Sequence, residues 1–424
     1  MSEKKYPNRW VIAIAGVIMQ TCLGTVYAWS VFRGPLLGLE NNNWTANQIN
    51  NAFTLVIVAL AFSAVVGGYI LDSRGPRIIG TLSGIFFGIG LLVTGFGVQI
   101  GSLPVLFIGY CLICGIGLGF GYIVPVATLV KWFPDKRGLI TGLAVLGFGM
   151  GSGVMAALVP QMLKTLTVEH TFYVFGAIFL VAVTAAAQLM VVPPPGYTPA
   201  GWTPPAGAPA IASGKTFGEA IRSKSWWILW AMLFINISAG MAVISQASPM
   251  TQTFMGAGIL DKAALAGTIM LIYSVFNTIG RIIWASISDK IGRREVFFIL
   301  FISQAIVFFL MWAIPSTQLV LFVILACWVY GCLGGGFATM PAYAADIFGT
   351  KYVGRIYGWM LTAWAAAGVL GPQLFGQIFA ASQTVEADGT RTGGNYSHAM
   401  LVMAIIFVVA IILPALAPKK GKAG

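Results

Sequence analysis

Charge is what this chain has least of. Of its 424 residues only 8% are Asp, Glu, Lys or Arg, against 58% hydrophobic. Soluble domains carry about 25% charged residues. So few charges cannot coat a globule of this size in water, and the solvent is expected to be largely lipid. Histidine is nearly missing too. His170 and His398 both fall near the outer ends of apolar runs, and no acid/base pair or metal cluster lies inside one, which argues against an intramembrane enzyme. The five cysteines all sit in apolar runs; Cys111 and Cys114 make a C-x-x-C spacing without a second pair or a nearby histidine, so packing thiols are expected. The nucleotide signature G-x-x-x-x-G-K-[ST] is absent, which argues against ATP drive. No loop exceeds about 35 residues, too short for the soluble signalling domain of a membrane sensor. No cofactor or metal is called for.

What is there is apolar length. A spanning helix needs roughly 20 apolar residues. Stretches of that size cover 10–33, 47–71, 77–98, 103–130, 138–162 and 169–192, and, after a break, 225–254, 261–288, 295–313, 317–345, 353–380 and 395–416. The polar start MSEKKYPNRW runs straight into a helix too long for a signal-peptide core, so the first span is expected to be retained. The 52 glycines and 13 tryptophans suit close-packed membrane helices with interfacial anchors. Between the two sets of six lies VVPPPGYTPAGWTPPAGAPA, from Val191 to Ala210. Proline at that density cannot continue a helix. The expected organisation is a six-helix bundle over residues 1–192, a linker over 193–224 and a second bundle over 225–424.

The sparse charges then orient the chain. Nineteen of the 24 Lys+Arg fall in the termini, the linker and the loops on their side. The opposite side holds only Arg33, Lys164, Lys262 and Arg391. The positive-inside rule places both termini and the linker in the cytoplasm. The net charge of +12 is therefore topology dealt out loop by loop. It is no nucleic-acid face.

The halves repeat. Gly68-Tyr-Ile-Leu-Asp72-Ser-Arg74-Gly75-Pro-Arg77 follows the second span, and Ala285-Ser-Ile-Ser-Asp289-Lys290-Ile-Gly292-Arg293-Arg294 follows the eighth, with the aspartates 217 positions apart. Lys131-Trp-Phe133-Pro-Asp135-Lys136-Arg137-Gly138 and Asp346-Ile-Phe348-Gly-Thr-Lys351 follow the fourth and tenth, with the phenylalanines 215 apart. Parallel six-span repeats belong to a transporter architecture with its site at the repeat interface near mid-membrane. Glycines permit the tight turn, and an aspartate at a helix end can accept charge-assisted bonds from arginines and from a neighbouring helix N-terminus. Asp72, Arg74, Arg77, Asp135, Arg137, Asp289 and Arg293 are therefore expected to form a conformational latch. Interfacial charges that only fix topology are the simpler alternative.

The first of these loops resembles the loop signature of the major facilitator superfamily, and the second resembles a degraded copy with Ala285 in place of glycine. Gly24-Thr-Val-Tyr27-Ala-Trp29-Ser30, the run KWFPDKRGLITG from Lys131 to Gly142, and the linker PPPGYTPAGW are similar to the monocarboxylate porters, notably their bacterial oxalate:formate antiporter subgroup. The resemblance covers essentially the whole chain. It implies an all-α membrane protein with 12 transmembrane helices in two six-helix bundles related by a pseudo-two-fold, the major facilitator fold.

One cation breaks the pattern. Arg281 lies within the eighth apolar run, eight residues before Asp289, so about 12 Å inside the boundary. Snorkelling reaches back only about 6 Å. A buried cation costs about 2.5 kcal/mol or more, so Arg281 is expected to face a polar cavity and an anion. No Asp or Glu is placed deep in any span. The substrate itself then supplies the missing charge, since Arg binds a carboxylate through a two-pronged fork. Asn277, one turn earlier on the same face, and the hydroxyls of Tyr27, Tyr122 and Tyr330 are further candidate contacts, with ordinary packing the alternative for each tyrosine. The resemblance adds weight to Tyr27 and Tyr122. Leu146 and Trp364 are candidates for an apolar wall.

Departures from the family pattern carry information as well. Oxalate exchangers resemble this chain around the eleventh span but have a lysine where Trp364 stands. One cation rather than two favours a monocarboxylate such as lactate or pyruvate. Animal monocarboxylate porters have an aspartate and a lysine where this chain has Asn277 and Val31. The expected function is secondary transport of a small monocarboxylate by alternating access across the cytoplasmic membrane. Proton symport is the first expected drive and oxalate:formate-type exchange the second, in a protein acting as a monomer.

Overall fold

The computed structural model describes residues 8–39, 42–195, 197–199, 201–203, 214–255, 262–385 and 391–419. Lys4, Lys5, Lys420 and Lys422, counted above among the loop cations, lie outside these, as does much of the linker. Among the described residues twelve long helices follow one another. In the first half they are α1 (Arg9–Gly24, continued through a 3-10 turn Thr25–Ala28 into Trp29–Leu37), α2 (Ala46–Arg74), α3 (Pro76–Gln99), α4 (Leu103–Leu106, a π-helical stretch Phe107–Cys114, then Gly115–Trp132), α5 (Arg137–Met162) and α6 (Val168–Ala187). In the second they are α7 (Lys224–Thr253), α8 (Lys262–Ile291), α9 (Arg293–Ala313), α10 (Leu319–Phe348), α11 (Val353–Met360, continued as Thr362–Ala381) and α12 (Ser397–Ala410, continued as Ile412–Leu416). Each corresponds to one predicted apolar stretch, with ends shifted by a few residues. A short helix, Phe217–Arg222, precedes α7, and a small antiparallel hairpin, Gln383–Val385 with Arg391–Gly393, joins α11 to α12.

Eleven of these helices are long and apolar enough to cross a membrane. The exception, α11, is interrupted at Leu361 and carries Gly371, Pro372, Gln373 and Gln377, which lower its mean hydropathy. Large apolar side chains such as Phe62, Val181, Val320 and Val409 cover the outer surface. Only lipid suits such a surface, and helices suit lipid because their backbone groups bond internally. The chain is a multi-pass membrane protein.

The repeat is visible in the packing. In the first half α3 packs on α6, α2 on α4 and α1 on α5; in the second α9 packs on α12, α8 on α10 and α7 on α11. The turns repeat as well. α2 ends at Gly75 with φ 85°, and α8 ends at Gly292 with φ 107°, a left-handed conformation that glycine adopts without steric cost. The halves meet along two seams, α5 against α8 and α2 against α11, which the pseudo-symmetry exchanges.

Candidate substrate site

Arg281 stands on the α5–α8 seam with only 2% of its surface exposed. Its Nε donates to Asn277 Oδ1 at 3.1 Å, and its NH1 donates across the seam to the Val145 carbonyl at 3.2 Å. A guanidinium has five N–H donors, so these two bonds and a side-chain contact with the Tyr27 hydroxyl leave part of its capacity unused. Among the described residues no carboxylate lies within ion-pair distance of it. Its Cζ sits over the Phe337 ring, 5.4 Å from the centroid, which supplies a weak π partner and no countercharge.

Around the cation lies an aromatic box drawn from both halves. Trp364 of α11, fully buried, contacts Tyr27, Tyr122, Phe148 and Phe337 at centroid distances of 6.2, 5.4, 5.9 and 4.8 Å. Phe148 of α5 meets Tyr27 and Tyr122 edge-on at 5.0 and 5.4 Å. The 3-10 turn in α1 carries Tyr27, which remains half-buried where its neighbours are sealed. Tyr357, two turns before Trp364, is also fully buried. The Arg281 charge acts on the hydroxyls of Tyr27, Tyr122 and Tyr357 alike. Three donors here have no protein acceptor: the Tyr122 hydroxyl, the Tyr357 hydroxyl and Trp364 Nε1. A buried donor without a partner costs about 1–3 kcal/mol, and this cluster concentrates them beside an unpaired cation.

Of the residues picked out by sequence, Arg281, Asn277, Tyr27, Tyr122 and Trp364 come together here. Asn277 spends its carbonyl oxygen on orienting the guanidinium. Leu146 is half-buried, one residue past the carbonyl that Arg281 binds. Tyr330 does not join them. It stacks on Tyr273 at 4.8 Å, and the α10 residue that meets Arg281 is Phe337, two turns along. Tyr357, Phe148 and Phe337 belong to the cluster and were not foreseen. An all-apolar helix offers no polarity contrast to mark which face looks onto the seam.

A second constellation closes the face that carries the described chain ends. Asp289 accepts from the backbone N–H groups of Gly138 and Leu139, in the first turn of α5, at 2.8 and 2.9 Å. Asp72 accepts from the N–H of Arg355, in the first turn of α11, at 2.9 Å. Each aspartate thus sits on the positive end of a helix from the other half, one on each seam. Arg137 reaches Asp346 across the seam at 2.7 Å, and Arg293 ties Asp346 to Asp289 at 3.1 and 2.6 Å. Among the described residues the well-formed hydrogen bonds seen between the halves lie in this group and at Arg281. The halves are therefore shut toward the chain ends.

Three latch expectations change. Arg74 and Arg77 are exposed and form no ion pair among the described residues. Asp72 instead faces Lys131 and Arg355, each at 3.9 Å. Asp135 pairs with Arg9 at 2.7 Å inside its own half and bridges nothing. The departure at Ala285 also has a structural reason. On the α2–α11 seam a Cβ on Gly68 would collide with the Gly354 carbonyl; on the other seam the close approach has moved across, and a Cβ on Gly138 would collide with the Ala285 carbonyl. At this approach the glycine is supplied by Gly138, so Ala285 is tolerated.

Comparison with known proteins fits this geometry. The oxalate:formate antiporter of Oxalobacter formigenes is 29% identical over 98% of this chain and 93% of its own. The apicoplast pyruvate carrier 1 of Toxoplasma gondii is 24% identical over 99% and 91%. Among solved structures, the proton:xylose symporter XylE matches with a TM-score of 0.73 at 14% identity, covering 98% of this chain and 97% of that one, a likeness of fold alone. The sequence profile of the Major Facilitator Superfamily matches residues 8–372 and again 263–422. This chain, a twelve-helix membrane transporter in fold, belongs to the Major Facilitator Superfamily.

Proposed function

We propose that the chain is a secondary transporter of small monocarboxylate anions, with Arg281 as the carboxylate-binding group and the two halves rocking about it. The observation that carries this is the buried guanidinium: 2% exposed, without a carboxylate partner among the described residues, and ringed by donors that lack acceptors. A small anion rich in acceptors satisfies all of them at once. A single cation suits one carboxylate, and Trp364 fills the place where a second would stand. Relatives named as an oxalate:formate antiporter and a pyruvate carrier support the same substrate class. Asp72 and Asp289 with their helix ends act as the latch of one state. The loop charges put this latch, the termini and the linker in the cytoplasm, so the closed face is the inner one.

The mechanism follows from charge. Binding neutralises Arg281 and lowers the cost of sealing aromatic walls over it; the latch then yields and the other face opens. Proton symport is the drive first expected from the sequence. The geometry favours exchange, because no acid beside Arg281 among the described residues can neutralise it when the site empties. Returning empty would carry a bare buried cation, at about 2.5 kcal/mol or more, a slowing of roughly seventyfold. Purified protein in vesicles tests both points. Labelled pyruvate or lactate should enter vesicles preloaded with the same acid far faster than empty ones. Rapid uptake into empty vesicles under a pH gradient would reinstate symport, and no uptake of any short monocarboxylate would overturn the function.

A further inference from the structure

The carboxylate site has a second, unassigned reader. Tyr122 comes from α4 of the first half and Tyr357 from α11 of the second; both are fully buried. Their hydroxyls lie close enough to act on each other, yet neither meets hydrogen-bond geometry with any protein group. The two hydroxyls share only a loose mutual side-chain contact that falls outside hydrogen-bond geometry, so a better-placed oxygen can draw on both. Trp364 Nε1, on the same face of α11 as Tyr357 and two turns on, is equally unpartnered. The Tyr122 ring is 5.4 Å from Trp364, and Arg281 acts on both hydroxyls. An oxygen held there would belong to the molecule whose carboxylate is on Arg281, one carbon along.

We propose that Tyr357 is a specificity-determining residue that, with Tyr122, binds the oxygen on C2 of the substrate and so selects 2-oxo and 2-hydroxy monocarboxylates over unsubstituted acids. This rests on the carboxylate assignment of Arg281 above. A ketone oxygen accepts from both hydroxyls. A C2 hydroxyl donates to one and accepts from the other. A methylene does neither, and leaves the two buried hydroxyls only their loose mutual contact when the site closes. Sites built to bond a substrate oxygen discriminate strongly against analogues that lack it. Because the pair joins opposite halves, the contact is complete only while the inner face is shut. The same oxygen that is recognised therefore also helps hold that state.

The test compares pyruvate, L-lactate and propionate as competitors of labelled pyruvate uptake, in wild type and Tyr357→Phe, with purified full-length protein in preloaded vesicles. The substitution removes an unbonded hydroxyl and keeps the ring, so the fold should be unaffected; a cooperative thermal melt checks this. Wild type should prefer pyruvate and lactate to propionate by about tenfold or more. Tyr357→Phe should lose most of that preference by weakening pyruvate while leaving propionate unchanged. A wild type that takes propionate as well as pyruvate, or a variant that keeps the full preference, overturns the C2 assignment and leaves the carboxylate site standing. Failure of all three acids to compete would instead remove the carboxylate reading itself.

Discussion

An arginine closed among aromatic rings, with its own asparagine and one backbone carbonyl as bonding partners, is stable only if something visits it. The same logic gives Trp364 its meaning. It touches four rings of the box and occupies space beside a lone cation. Trp364→Lys places a second cation there. The expected outcome is a loss of monocarboxylate affinity of about tenfold or more, since an ammonium left unpaired at a buried site is costly, together with a gain of competition by oxalate, whose second carboxylate it can meet. Inhibition of pyruvate uptake by oxalate, measured in both proteins, checks this; unchanged oxalate inhibition would show that Trp364 does not set substrate charge. At this scale the legible residues were those that stood out chemically: a charge in an apolar run, a tyrosine in a motif, a tryptophan where relatives have lysine. Tyr357 sits in an apolar stretch with nothing to single it out. Tyr330 was overread by following one helix face two turns too far. A sequence shows which residues share a face, but not how far along the axis the opposite half meets it.

The helices were legible because lipid imposes one length on all of them. Apolar runs and proline-rich breaks fix where each begins and ends to within a few residues. Their pairing across the seams was legible only in part. The repeat at Asp72 and Asp289 marked the seam ends, yet the partner of each aspartate across the seam includes a backbone helix terminus, which carries no sequence signal. This makes a prediction about the elements. Asp72→Asn and Asp289→Asn each weaken a charge-assisted cap, worth about 1.5–3 kcal/mol. They act on separate seams, so their effects should add to within about 0.5 kcal/mol. Spin labels at Lys136→Cys and Lys351→Cys, on opposite halves of the same face, should report a longer-distance population that grows with each substitution and is largest in the double variant. An unaltered distance distribution in the double variant would mean that the caps do not hold the inner face shut.

At the scale of the molecule, two six-helix halves share a site that neither completes alone. α8 brings the cation, α4 and α1 bring tyrosines, and α11 brings Tyr357 and Trp364. Among the described residues the well-formed hydrogen bonds seen between the halves lie at the cation and the closed face. The whole arrangement therefore couples two things: what fills the centre and which face is open. An anion on Arg281 is the link between them. The decisive measurement is calorimetric titration of purified wild type and Arg281→Gln with pyruvate and with its uncharged amide. Wild type should bind the anion and not the amide. Arg281→Gln should lose pyruvate affinity by about a hundredfold or more while melting at or above the wild-type temperature, since it removes an unpaired buried charge. Undiminished pyruvate binding by a well-folded Arg281→Gln protein would contradict it.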